Sequence, residues 1–225
     1  TPLYSSAASD VYKRQLTPQL RTDCGETSLL LIDLNEFSNR LGGSIFCQVF
    51  SKFGTNVPDI DSPETLLGFF NAMQESIDRS EILAYHDRSA GGLFATLAEM
   101  SFAGHVGISV YLNDDLCGLN GNINAALFNE ELGAVIQVKS SQVEAVSDRF
   151  LSAGVSVSAV GHLIANDLFE IRYRDKLIFS KRRDVLQSAW SETSFKIASL
   201  RDNADCVRQE LSLIHISEPT RRRGI

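Results

Sequence analysis

The stretch "AYHDRSAGGLFATLAEMSFAG", residues 84–104, passes from one kind of periodicity to another within a few residues. Its start continues the short apolar run Ile82–Tyr85, which reads as a buried strand. Its second half places Leu93, Phe94, Leu97, Ala98 and Phe102 at helical spacing, and Gly104 stands where a helix stops. Between them lie Asp87, Arg88, Ser89, Ala90, Gly91 and Gly92, too few residues for anything but a tight turn. Strand, turn and helix in immediate succession predict a sheet covered by helices.

The same alternation extends outward. Upstream, "LLLID" (29–33) reads as a strand, and Ile45, Phe46, Val49, Phe50 and Phe53 mark one face of a helix stopped by Gly54. Ser62 suits an N-cap and Pro63 the first position of a second helix, with Leu66, Leu67, Phe69, Phe70, Met73 and Ile77 on its buried side. Downstream, Val106, Ile108, Val110 and Leu112 alternate as in a half-buried strand, and 113–124 is polar and reads as a loop. Residues 133–138 read as a strand, Val143 to Leu151 as a helix ending at Gly154, and Val155–Val160 as another strand. Phe169, Ile171 and Tyr173 pair with Leu177 and Phe179 across Arg174-Asp175 as a hairpin, followed by a helix from Lys181 to about Leu200 that carries Val185, Leu186, Ala189 and Trp190. Helices and strands that alternate and then end in a hairpin plus helix predict a mixed α/β (α+β) domain: one mixed sheet covered by helices, not a purely parallel doubly wound fold.

The two ends read differently. Asp10–Gln15 can be encoded as GAT GTG TAT AAG AGA CAG, and the reverse complement of that string encodes Leu211–Ile216. Both ends resemble translated transposase adapters, so residues 1–15 and 211–225 are expected to be non-native segments flanking one domain, 16–210. The whole chain of 225 residues carries 21 Lys and Arg against 28 Asp and Glu, a net charge of −7. Setting the ends aside removes more base than acid. Such a surface repels phosphate backbones, so nucleic acid is a poor partner. No apolar run approaches the roughly 20 residues of a membrane span. Cys24, Cys47, Cys117 and Cys206 are scattered without a Cys-x-x-Cys pair, a pattern of reduced thiols that fits a cytoplasmic protein better than a zinc site.

The turn of 87–92 has the chemistry of an anion site. The first amides of a helix lack intrahelical acceptors, and the helix dipole favours negative charge there. Gly91 and Gly92 would let a phosphate approach the backbone, Ser89 could donate its hydroxyl, and Asp87 could hold Mg²⁺ against phosphate oxygens. A plainer reading stands beside it: Ser89 caps the helix and Asp87 complements its dipole. His86 reads as a hydrogen-bonded structural histidine, and Glu130-Glu131 in "FNEELG" as a solvated turn, though paired acids could also bind metal.

"NRLGGSIFCQVF", "LLGFFNAMQ", "AYHDRSAGGLFATLAEMSFAGHVG", "LFNEELGAVIQV" and "WSETSFKIASLRDNADCVRQE" together, in this order and over nearly all of 16–210, resemble the phosphoribosylformylglycinamidine synthase family. The resemblance is to the C-terminal subdomain of the second synthase-like half, a domain of the aminoimidazole ribonucleotide synthase type. The closing "ETS", "LRDN" and "QE" resemble the segment leading toward the glutaminase domain of the long, fused form. The resemblance implies an ATP-dependent C–N ligase of purine biosynthesis, a glutamine amidotransferase. It would convert formylglycinamide ribonucleotide to the amidine with ATP and glutamine-derived ammonia. It makes Asp87 a Mg²⁺ ligand and Ser89, with Gly91 and Gly92, part of an ATP/ADP site, catalytic or structural. It assigns no catalytic residue here, and implies that further ligands and the glutaminase cysteine belong to other domains of the same polypeptide. Ala90 stands where the family usually has Asp. Two other functions fit: a non-catalytic scaffold domain that holds a nucleotide, and another ATP-using member of the superfamily.

Overall fold

A computed structural model describes residues 15–118 and 121–212. Most of the two adapter-like ends therefore lies outside the described residues. Seven strands form one sheet in the order β2-β4-β1-β5-β3-β6-β7. They are β1 (Thr27–Asp33), β2 (Ile82–Asp87), β3 (Gly107–Leu112), β4 (Gly133–Lys139), β5 (Ser156–Ile164), β6 (Leu168–Tyr173) and β7 (Lys176–Arg182). Every pairing is antiparallel except β3 with β6, so the sheet is mixed as expected.

The apolar run in β1 has a simple cause. The strand lies inside the sheet between β4 and β5, and both of its faces are buried. Leu29 and Leu31 enter one core and Leu30 and Ile32 the other, following the two-residue period of a strand. The first core packs under helix α3 (Gly92–Gly104) through Leu93, Leu97 and Met100, with Leu186 of helix α7 (Arg183–Arg201) beside it. The second packs under α2 (Pro63–Asp78) and α6 (Val143–Ser152) through Met73, Val146 and Phe150. Helix α8 (Ala204–Ser212) follows α7.

Several expectations are corrected. Strand β3 is buried apart from Tyr111: Ile108, Val110 and Leu112 enter the first core, and Ser109 on the other face is enclosed as well. The segment 113–124 is not all loop: Asn113 caps a short helix α4 (Asp114–Cys117), and Asn122 caps α5 (Ile123–Phe128). Helix α1 is only Ile45–Val49, and Val49, Phe50 and Phe53 are exposed, Phe53 by 90%. On α2, capped by Ser62 with Pro63 at its start as expected, Leu66, Leu67 and Phe70 are exposed. Its apolar stripe is wider than the sheet can cover, and the row Phe69, Met73 and Ile77 takes the buried side. Val185 and Trp190 of α7 are likewise exposed. The left-handed residue that ends α3 is His105, φ 50°, while Gly104 is needed because Leu20 presses on its α-carbon.

Candidate functional site

The strand period continues through the turn after β2. Asp87 and Ser89 are exposed and Arg88 between them is buried. Backbone pairing explains the persistence, since the Arg88 amide donates to the Gly133 carbonyl at 2.8 Å. The Arg88 guanidinium bonds Asp33 Oδ2 at 2.6 Å and the carbonyls of Glu131 and Leu132 at 2.7 and 3.1 Å. Side-chain exposure is 1% for Arg88 and 0% for Asp33, so this pair is sealed from water. The other oxygen of Asp33 accepts the amides of Asn35 and Phe37 at 2.8 and 3.0 Å. An acid closing an apolar strand thus organises the loop behind the turn.

A second ion pair, its carboxylate buried and its guanidinium half-buried, stands next to it. Arg40 grips Glu131 with two parallel bonds, Nε–Oε1 at 2.6 Å and Nη2–Oε2 at 2.9 Å, and Asn35 adds a third at 2.7 Å. Burial pushes the Glu131 carboxyl up, but the bonds from Arg40 and Asn35 and the charge of Arg40 outweigh it, leaving it below the usual carboxylate range. The expected solvated turn at Glu130-Glu131 is therefore wrong for Glu131, which is fully buried. Glu130 is half-buried, and its Oε1 accepts the amides of both Gly91 and Ile45 at 2.9 Å.

Helix α3 begins without a side-chain cap. Its N-cap is Gly91, φ 83°, so Ser89 is not the capping residue. Gly92 is required by packing: a Cβ there would sit 2.4 Å from the Asn129 carbonyl, at a φ of +65°. Its amide donates to Ser89 O at 2.9 Å, so Gly92 closes the turn from inside. The Tyr85 hydroxyl is pushed up to about 12, first by burial and then by the charge of nearby Asp87. His86 is a hydrogen-bonded histidine, as read from the sequence: its Nε2 lies 2.7 Å from Glu99 Oε2, and Glu99 Oε1 accepts from Trp190 Nε1 at 3.0 Å.

The structure thus brings Asp87 and Ser89 to one helix start, and adds the Arg88–Asp33 pair, to which sequence reasoning assigned no role, and Glu130, read from the sequence as a solvated turn or one of two paired acids that could bind metal, which here accepts the Gly91 amide. Arg88 had a signal in the alternation Asp-Arg-Ser, whereas its partner 55 positions away had none. Among the described residues no group of three or more His, Cys, Asp or Glu could hold a metal ion alone. One carboxylate and one hydroxyl fit a hard cation that takes its remaining oxygens from phosphate and water. None of the four cysteines is paired, and no helix among the described residues is long and apolar enough to cross a membrane.

A mixed sheet with helices on both faces, opening at a glycine turn that presents an acid and a hydroxyl, defines an α+β domain. The chain belongs to the AIR synthase related protein, C-terminal domain family, which matches residues 28–174. Among solved structures it is similar to Thermotoga maritima PurL complexed with ATP, at 12% identity and TM-score 0.60, over 77% of this chain and 27% of that one. The same PurL complexed with FGAR matches at 12% identity and TM-score 0.60, over 77% and 29%. Phosphoribosylformylglycinamidine synthase II from Thermotoga maritima matches at 12% and 0.60, over 77% and 28%. At this identity the likeness is one of fold, and the chain spans less than a third of each of these structures.

Proposed function

We propose that this chain is part of a phosphoribosylformylglycinamidine synthase, an ATP-dependent C–N ligase. In this reading its turn 87–92 holds the phosphates of a magnesium nucleotide. The observation that carries this is the out-in-out arrangement of Asp87, Arg88 and Ser89. The buried Arg88–Asp33 pair locks the turn, so that a carboxylate and a hydroxyl project together beside the start of α3. Family membership supports the nucleotide class, and the PurL structures with ATP and with ADP are consistent with it. Bound Mg²⁺ would supply charge neutralisation between phosphate oxygens. Asp87 would hold that ion. Ser89 would donate its hydroxyl to a phosphate oxygen, and the positive end of the α3 dipole would face the same group. Gly92 serves the site through shape, by letting the turn close against Asn129. Formylglycinamide ribonucleotide and glutamine-derived ammonia would meet this nucleotide only together with the other domains of the enzyme.

Thermal melting of the wild type and Asp87→Asn, each with and without Mg-ADP after removal of any copurified nucleotide, tests the metal role. The wild type should gain about 2.7 kcal/mol at a ligand concentration one hundred times Kd. Asp87→Asn should lose most of that gain while differing by only about 0.3–1 kcal/mol without ligand. Equal gains in both proteins would show that Asp87 only complements the helix dipole.

A further inference from the structure

We infer that Glu130 is an internal anion occupying the seat of the incoming phosphate, and that it sets which ligands the turn accepts. The inference rests on the nucleotide reading of the 87–92 turn. One oxygen of Glu130 accepts the amides of Gly91 and Ile45, both at 2.9 Å. Gly91 is the N-cap of α3, so this carboxylate lies where the helix dipole and its first amides favour an anion. Its neighbour Glu131 is committed to Arg40 and Asn35. Glu130, by contrast, forms no ion pair with any Lys, Arg or His among the described residues. Amide hydrogens alone hold this half-buried negative charge.

A carboxylate and a phosphate oxygen cannot both take the Gly91 amide. A polyphosphate that enters must displace Glu130, and a ligand that arrives with Mg²⁺ brings the positive charge that lessens repulsion between the two anions. Displacement has a second consequence, because the same oxygen anchors Ile45. Releasing it frees the first amide of α1, whose following residues Val49, Phe50 and Phe53 are exposed apolar side chains. Occupancy of the turn is thereby communicated to the apolar segment 45–53. The apparent affinity falls by the fraction of molecules in which Glu130 has left the seat.

Titration calorimetry of this chain with Mg-ADP, and separately with magnesium pyrophosphate, compares the wild type with Glu130→Ala and Glu130→Gln. Amide hydrogen exchange over 45–53 is followed with and without Mg-ADP. Removing the competitor should tighten both ligands by about tenfold in Glu130→Ala, with Glu130→Gln between it and the wild type. Exchange at Ile45 and its neighbours should rise on ligand binding in the wild type, and already be high and ligand-independent in Glu130→Ala. If Glu130→Ala does not fold, the Gln variant, which keeps shape and acceptor, must still bind more tightly than the wild type. Weaker binding in the variants would make Glu130 a part of the ligand site, and equal binding would make it a bystander. Either result overturns this inference and leaves the nucleotide reading standing. No binding by any of the three proteins would overturn the nucleotide reading itself, and this inference with it.

Discussion

Arg88 sits between two exposed residues, yet its guanidinium is closed inside the molecule against Asp33 and two carbonyls. Removing one partner of such a pair leaves the other buried and uncompensated. Arg88→Met should therefore destabilise the domain by about 3–5 kcal/mol. Urea unfolding of that variant, of Asp33→Asn and of the double variant measures the coupling. A loss below about 1 kcal/mol for Arg88→Met would contradict the sealed pair. Glu131 gives the pH dependence. Its folded carboxyl titrates below its ordinary value, so its contribution to stability is complete above the unfolded pKa near 4.5. That contribution is lost as pH falls through the lower folded value. Glu131→Gln should be less stable than the wild type at neutral pH, with a shallower decline of melting temperature in acid. An acid limb as steep as the wild type's would mean that another group carries it.

The elements show why some glycines matter more than others. Gly92 opens α3 with its α-carbon against the Leu127–Asn129 backbone, and backbone cannot swing aside as a flexible side chain can. Gly154 follows α6 at φ +77° with nothing within 4 Å of an added Cβ. Gly154→Ala should cost about 1–2 kcal/mol, the left-handed conformation alone. Gly92→Ala adds overpacking of about 1–3 kcal/mol to a similar strain, so thermal melting should rank it clearly below Gly154→Ala. Equal losses would show that the α3 start can shift away from Asn129. Element type was legible wherever periodicity was strong, as for β1, α2, α3 and the β6–β7 hairpin. Which apolar residues are buried was less so. Leu66, Leu67 and Phe70 share the hydrophobicity of Phe69 and Met73, and only their direction from the helix axis separates them. The plainer reading of Ser89 as a cap failed because Gly91, with a left-handed φ, lies one residue before the helix and takes the cap position itself.

At the scale of the whole molecule, this chain spans 27–29% of the PurL-type structures it matches. Positioning reactants can supply about 7–11 kcal/mol of a barrier, and a single domain holding one nucleotide supplies little of that. The purified chain should thus form no amidine from formylglycinamide ribonucleotide, ATP and glutamine, and product above a boiled control would contradict the reading. The sequence by itself determined the strand–turn–helix order, the mixed class of sheet, and the placing of Asp87 and Ser89 in a turn ahead of a helix. These follow from local periodicity and turn chemistry, which act over a few residues. The strand order, the pairing of Arg88 with Asp33, and the seating of Glu130 on Gly91 were decided only by the tertiary structure. Antiparallel packing of β4 between β2 and β1 brings residues from three distant segments to one end of the sheet. Buried charges there must find partners in space, whatever their separation along the chain.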